Sequence, residues 1–230
     1  MRQIIKQLAS FGLFGDINAA LKYDFRSRIR QLGREGKIKT VYDIGAHHGN
    51  WSRGMKRLLP KANFFLFEAN PNCQPFLHKS GFPFALQGLS STHGKKIFYT
   101  NDSTGDSFYQ ENGGISGVSG WHALELKTMD LDSCVLKHKF PQPDWIKLDV
   151  QGSELDILAG GSKCFSFAKF VLCEVPLVPY NLGAPNLSEV LNIFLKEGFL
   201  PSCLVEIHHH AKPSGPKSSI CQLDIFFERS

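Results

Sequence analysis

The run Tyr42-Asp43-Ile44-Gly45-Ala46-His47-His48-Gly49-Asn50 places a carboxylate and two glycines between an apolar strand pattern and a helical one. In an open α/β sheet, ligands bind beyond the carboxyl ends of the strands. Glycine there lets the backbone approach a ligand and adopt positive φ. A dinucleotide loop reads glycine-x-glycine-x-x-glycine, and Asp43 stands at the first glycine position. A carboxylate there repels a diphosphate but suits the ammonium and sulfonium charges of S-adenosylmethionine. Glu68 ends the next apolar run, where an acid can accept hydrogen bonds from both ribose hydroxyls of an adenosine cofactor. Each acid has a plainer reading, Asp43 as a helix N-cap and Glu68 as a surface acid at a strand end. Their occurrence on consecutive strands favours cofactor binding, with Gly45, Ala46 and Gly49 shaping the loop. Ser90 follows the third strand, where it would contact an adenine edge or stabilise a turn.

Methyl transfer from a sulfonium is an in-line displacement that needs alignment and exclusion of water. A hydroxyl acceptor must also lose a proton. Asp149 ends a later strand on the same rim. It can take that proton, hold a divalent cation that acidifies the hydroxyl, or serve structure by capping the following turn. Glu154 reads as a first-turn acid favoured by the helix dipole, and Glu174 as a further strand-end acid on that rim. His47 and His48 shape the cofactor loop. His208, His209 and His210 read as a solvated turn, because three consecutive histidines cannot face one metal from a strand.

These residues need an alternating framework. Thr40–Ile44, Asn63–Phe67 and Phe84–Leu86 read as buried strands, with helices at Asn50–Leu59 and Pro71–Ser80 between them. Lys95–Asn101 and Ala123–Lys127 read as strands around a Gly/Ser/Asp/Asn-rich loop, Asp102–Gly120, whose Asp106, Ser107, Phe108 and Tyr109 suit an acceptor lid. Helix Leu131–His138, strand Trp145–Asp149, helix Glu154–Ala159, strand Phe170–Val175 and helix Asn186–Glu197 follow. Strands Leu200–Ile207 and Ile220–Glu228 close the chain as an antiparallel pair. Residues 1–39 form a helical prefix with Leu21, Phe25, Ile29 and Leu32 at helical spacing, and residues 40–230 form the main domain. The prefix would dock on the domain, join two copies in a homo-oligomer, or cover the active site.

A hydrophobic content of 42% over 230 residues supports a sizeable core, and a net charge of +5 is only mildly basic. No base-binding pocket motif is present and the basic residues are dispersed, so nucleic acid is not the expected partner. No apolar run approaches the roughly 20 residues of a membrane span, and the mixed stretch Ile4–Phe14 reads as a docking or interfacial helix. The six cysteines form no CxxC pair and read as reduced thiols of a cytoplasmic protein without a signal peptide.

Three runs together resemble the FkbM family of S-adenosylmethionine-dependent methyltransferases over roughly residues 40–228. They are Asp43–Gly49, the segment Phe67-Glu68-Ala69-Asn70-Pro71, and Leu148–Gly161. The family's Lys-(Ile/Leu)-Asp-(Val/Ile)-Glu-Gly-x-Glu segment reads Lys147-Leu148-Asp149-Val150-Gln151-Gly152-Ser153-Glu154, with Gln151 in place of an acid. His47 stands where the family often has asparagine. Thr128-Met129-Asp130-Leu131-Asp132 resembles a further family turn. The resemblance implies a class I methyltransferase, Rossmann-like: a mostly parallel seven-stranded sheet with helices on both faces and a C-terminal antiparallel pair. It also implies S-adenosylmethionine as cofactor and O-methylation of a small-molecule acceptor such as a sugar, glycoconjugate or natural product. Two other readings compete, an NAD(P)-dependent enzyme of similar fold and a non-enzymatic scaffold that kept the fold after losing the acid at Gln151.

Overall fold

The computed structural model describes residues 17–101, 104–111, 120–178, 181–209 and 220–230. The stretch Ile4–Phe14, the histidine His210 and parts of the loop 102–120 lie outside them.

Helix α1 (Ile17–Arg34) precedes strand β1 (Thr40–Ile44), α2 (Asn50–Leu58), β2 (Asn63–Glu68), a 3₁₀ turn at Pro71–Cys73, α3 (Gln74–Ser80) and β3 (Phe84–Leu86). Strands β4 (Gly88–Leu89), β5 (Gly94–Thr100) and β6 (His122–Met129) follow, then α4 (Leu131–His138) and β7 (Trp145–Leu148). The chain ends with α5 (Glu154–Ala159), α6 (Ser162–Phe167), β8 (Phe170–Pro176), α7 (Leu187–Lys196), β9 (Phe199–His209) and β10 (Ile220–Arg229).

The main sheet has seven strands in the order β3-β2-β1-β7-β8-β10-β9. Neighbours from β3 to β8 are parallel, and β10 runs antiparallel to both β8 and β9. The expected class I architecture is therefore present. Apolar runs in β1, β2, β7 and β8 form because both faces of a central parallel sheet are covered. Alternation sends Tyr42, Ile44, Ile146 and Leu148 into one apolar cluster and Val41, Phe64, Leu66 and Trp145 into the other.

A second sheet, β4-β6-β5, was not foreseen from the sequence. β4 is two residues long and pairs in parallel with the end of β6, while β5 and β6 form an antiparallel ribbon. So short a strand leaves no periodicity to read.

The prefix helix is part of the core. Phe25, Ile29 and Leu32 of α1 are buried, and Phe25 meets Phe226 and Trp145 edge-on at centroid distances of 5.4 and 6.1 Å. Lys22 pairs with Glu206 and Arg28 with Glu228, fixing the helix across β9 and β10. No helix among the described residues is long and apolar enough to cross a membrane. All six cysteines are free thiols, and burial raises that of Cys134 to about 12, far from the reactive range.

Candidate active site

The loop after β1 turns back under its own backbone. Gly45 has φ 77°, and a Cβ there would stand 1.8 Å from the carbonyl oxygen of Asp149, so no other residue fits. The N–H groups of Gly45 and Ala46 donate to the Phe67 carbonyl at 3.0 and 3.1 Å, tying the loop to the end of β2. Gly49, with φ 71°, donates to the Ala46 carbonyl at 2.7 Å and starts α2.

Glu68 is buried at the end of β2 and its carboxylate is held from three sides. His47 N–H donates to Oε2 at 2.6 Å, while Ala69 and Asn70 N–H donate to Oε1 at 2.8 Å each. Burial raises its pKa above the ordinary carboxylate value, against the pull of those three donors. One further hydroxyl or N–H donor could still be accepted at Oε2, because each carboxylate oxygen has two lone pairs and three of the four are taken.

Glu68 faces an open cleft. Gly45, His47, Asp149, Val150 and Ser153 form one wall, and Phe67, Leu89, Phe98 and Phe108 supply an apolar one. Among the described residues, none that lines it is a lysine or arginine. The Ser153 hydroxyl is buried there with no hydrogen-bond partner among the described residues. Ser90 is buried too, but it does not line the cleft. Its backbone lies against Gly160, and Gln87 and Leu89 reach the cleft instead.

Asp43 lies beneath the cofactor loop rather than in the cleft. It is fully buried, accepts a 2.6 Å hydrogen bond from the Ser52 hydroxyl, and sits 3.2 Å from Lys147 Nζ. Lys147 is its register partner on β7 and also lies 3.0 Å from Asp149 Oδ2. Burial disfavours the Lys147 ammonium, but Asp149 and Asp43 outweigh that and raise its pKa. Burial likewise pushes the Asp149 carboxyl up, yet Lys147 and the Gln151 amide hold it below the ordinary range, so it is ionised at neutral pH. Sequence reasoning passed over Lys147 as a site residue. The signal was a lone charge inside the apolar strand Trp145–Leu148.

The segment 104–111 crosses the cleft and is pinned on its far side. Ser107 Oγ and Asn181 Nδ2 both donate to the Gln151 carbonyl, at 2.7 and 2.6 Å. Tyr109 OH reaches Asp156 at 3.3 Å, and Asp156 also pairs with Lys96 at 2.8 Å. Asp106 is fixed by Asn70 and Thr100 at 2.7 Å each. Thr104, Asp106, Ser107 and Phe108 line the same cleft as Glu68.

The family model for the methyltransferase FkbM domain matches residues 43–201. This chain belongs to the FkbM methyltransferase family. It is 25% identical over 150 residues to the 2-O-methyltransferase NoeI of Sinorhizobium fredii, an alignment covering 58% of this chain and 62% of that one. It is 31% identical over 154 residues to the hexuronic acid methyltransferase AglP of Haloferax volcanii, covering 64% of this chain and 60% of the relative. The chain thus spans about three fifths of the length of these curated relatives. The crystal structure of an FkbM methyltransferase from Methylobacillus flagellatus shares the fold, with a TM-score of 0.51 at 13% identity over 82% of this chain and 44% of that one.

Within the FkbM segment Lys147–Glu154, Gln151 takes φ 54° and donates to both Asp149 and Glu174. Glu174 is therefore coupled to the rim through an amide, and burial together with Asp149 and Asp224 raises its pKa well above the ordinary value. Glu154 stands in the first turn of α5, as expected. It is buried, and its Oε1 accepts from the Gly152 and Val150 N–H groups at 3.1 and 3.4 Å. Ser52 serves Asp43, and Trp51 packs on Trp145 with Lys147 Nζ 5.5 Å from its ring centre.

Proposed function

We propose that this FkbM domain transfers a methyl group from S-adenosylmethionine to a hydroxyl of a sugar or glycoconjugate. The observation that carries this reading is the Glu68 carboxylate, aimed by three backbone donors into a cleft floored by Gly45. The residues fit the cofactor. Glu68 would accept from a ribose hydroxyl, the apolar wall would take the adenine, and Ser153 would gain the partner it lacks. The Gly45 turn packs directly on the Asp149 carbonyl, where any Cβ would collide with backbone, and so keeps Asp149 beside the loop. Glu68, Asp106 and Asp149 among the described lining residues, with no lysine or arginine among them, oppose the diphosphate of NAD(P).

Bound there, S-adenosylmethionine supplies an electrophilic methyl group. Asp149, ionised beside Lys147, would accept a hydrogen bond from the acceptor hydroxyl, orient its oxygen and take its proton as the methyl group leaves sulfur for oxygen, with the thioether S-adenosylhomocysteine as leaving group. Asp43 acts through Lys147, holding the ammonium that fixes both Asp149 and the Gly45 carbonyl 3.4 Å away. The 104–111 segment excludes water. The sugar class rests on the names of NoeI and AglP. Residues 40–230 would form the catalytic domain, with α1 a docked prefix.

Calorimetry with S-adenosylmethionine, S-adenosylhomocysteine and NAD tests the reading. Saturable binding of the first two, weakened about tenfold or more by Glu68→Ala and absent for NAD, is the expected result. Failure of both adenosyl ligands to bind wild-type protein would sink the reading and leave the scaffold alternative.

A further inference from the structure

Antiparallel register puts Glu174 of β8 directly opposite Asp224 of β10, and Asp224 opposite Glu206 of β9. Asp149 follows Leu148, whose own partner is Cys173, so it continues the same row at the end of β7. Four carboxylates therefore run side by side across the sheet. Like charges directly opposite each other on neighbouring strands are destabilising. The two ends of the row have their cations, Lys147 at Asp149 and Lys22 at Glu206. The middle pair has no lysine or arginine among the described residues within ion-pair distance. What reaches it is His208, from the strand that the sequence suggested was a solvated turn.

His208 Nε2 lies 3.0 Å from Asp224 Oδ1 and 3.9 Å from Glu174 Oε1, and the three ligand atoms all fall within 4.8 Å of one another. Two atoms each about 2.1 Å from one ion, at angles between 90° and 110°, are roughly 3.0 to 3.5 Å apart. The His208 distances lie at and just beyond that range, so small side-chain rotations would close the set on a single ion. The other polar neighbours among the described residues include Asp149, in hydrogen-bond contact with Glu174, and two amides. Gln151 donates to Glu174 and to Asp149, and Gln222 reaches Gln151 at 3.5 Å. These amides orient the carboxylates without neutralising them.

We propose that Glu174, His208 and Asp224 form a divalent-cation site next to Asp149 at the rim of the cleft. One imidazole with two carboxylates is a mixed nitrogen–oxygen donor set, which suits a first-row transition ion such as Mn²⁺ better than Ca²⁺ or Mg²⁺. Partial exposure of His208 leaves water or a substrate oxygen to complete the coordination. An ion there relieves the row of carboxylates and stands one amide away from Asp149. His208 and Asp224 lie beyond residue 201, where the family match ends. Ion binding does not depend on the cofactor or acceptor assigned above.

Titration of chelator-treated protein with Mn²⁺, followed by the electron paramagnetic resonance signal of the free ion, tests the site without any substrate. One saturable equivalent is expected. Glu174→Gln, His208→Ala and Asp224→Asn should each weaken it about tenfold or more. Glu125→Gln, which alters an exposed acid on the small sheet, should leave it unchanged. Circular dichroism checks that each variant folds. If wild-type protein leaves the free-ion signal undiminished up to millimolar Mn²⁺, or if all three site variants bind as wild type does, the site does not exist.

Discussion

Lys147→Met should lower the stability of the protein by about 3 to 5 kcal/mol, the cost of breaking a buried ion pair from one side. Lys147 is 6% exposed and lies between Asp43 and Asp149, 3.2 and 3.0 Å from their oxygens. Methionine preserves the volume but removes the charge. Asp43 is then left fully buried with the Ser52 hydroxyl as its one remaining hydrogen-bond donor among the described residues. Asp149 can turn toward the cleft, so the damage concentrates at Asp43. For a domain of this size the loss corresponds to a fall in Tm on the order of 10 °C. The double variant Asp43→Asn/Lys147→Met should recover a large part of it, because no uncompensated charge remains. Urea unfolding of the three proteins measures this. A single variant within about 0.5 kcal/mol of wild type would show that the triad is not what holds the loop.

The same triad shows why part of the site could be read in the sequence and part could not. Asp43 and Glu68 were visible because each ends an apolar run at the place where parallel sheets collect ligands. Lys147 is the register partner of Asp43, yet 104 positions separate them and only the β1–β7 pairing brings them together. The row Asp149, Glu174, Asp224 and Glu206 was hidden for the same reason, since register between distant strands is not written in local periodicity. Asp43 reads as a cofactor acid because a carboxylate at the first glycine position suits the charges of S-adenosylmethionine, and on the plainer reading as a helix N-cap. One residue before the end of β1, alternation turns it under α2, where Ser52 and Lys147 await it.

Ser90 was placed at the adenine edge on the assumption that β3 ends the local structure. Instead β4 continues it, and the ribbon β5–β6 closes over that side, so Leu89 and Phe98 form the wall. The central strands were legible because burial on both faces dictates their sequence, and the more exposed β5, β6, β9 and β10 also lie close to where the sequence placed them. The helix α6 was missed because six residues after a double glycine carry too few turns to show a period.

Glu154→Gln should make the protein more stable above neutral pH, by about 3 kcal/mol, and leave it nearly unchanged below pH 5. Glu154 is 1% exposed, and burial raises its pKa from 4.5 to about 7, with Asp149 adding to the effect. Its Oε1 accepts two backbone N–H groups, but Oε2 has no partner among the described residues. Below its unfolded value the carboxyl is protonated in both states and contributes no pH dependence. As pH rises from 4.5 toward 7 the unfolded chain releases the proton while the folded chain keeps it, so folding loses up to about 1.4 kcal/mol per unit. Above 7 both states are ionised and the loss levels off. Glutamine reproduces the protonated acid at every pH: its oxygen can accept the same two N–H groups, and its amide replaces the acid hydroxyl. Unfolding by urea at pH 5, 6, 7 and 8 should therefore give curves that coincide at the acid end and separate through the neutral range. Parallel pH dependences for the two proteins would mean that Glu154 is already ionised when folded, and that the Gly152 and Val150 amides stabilise its charge fully.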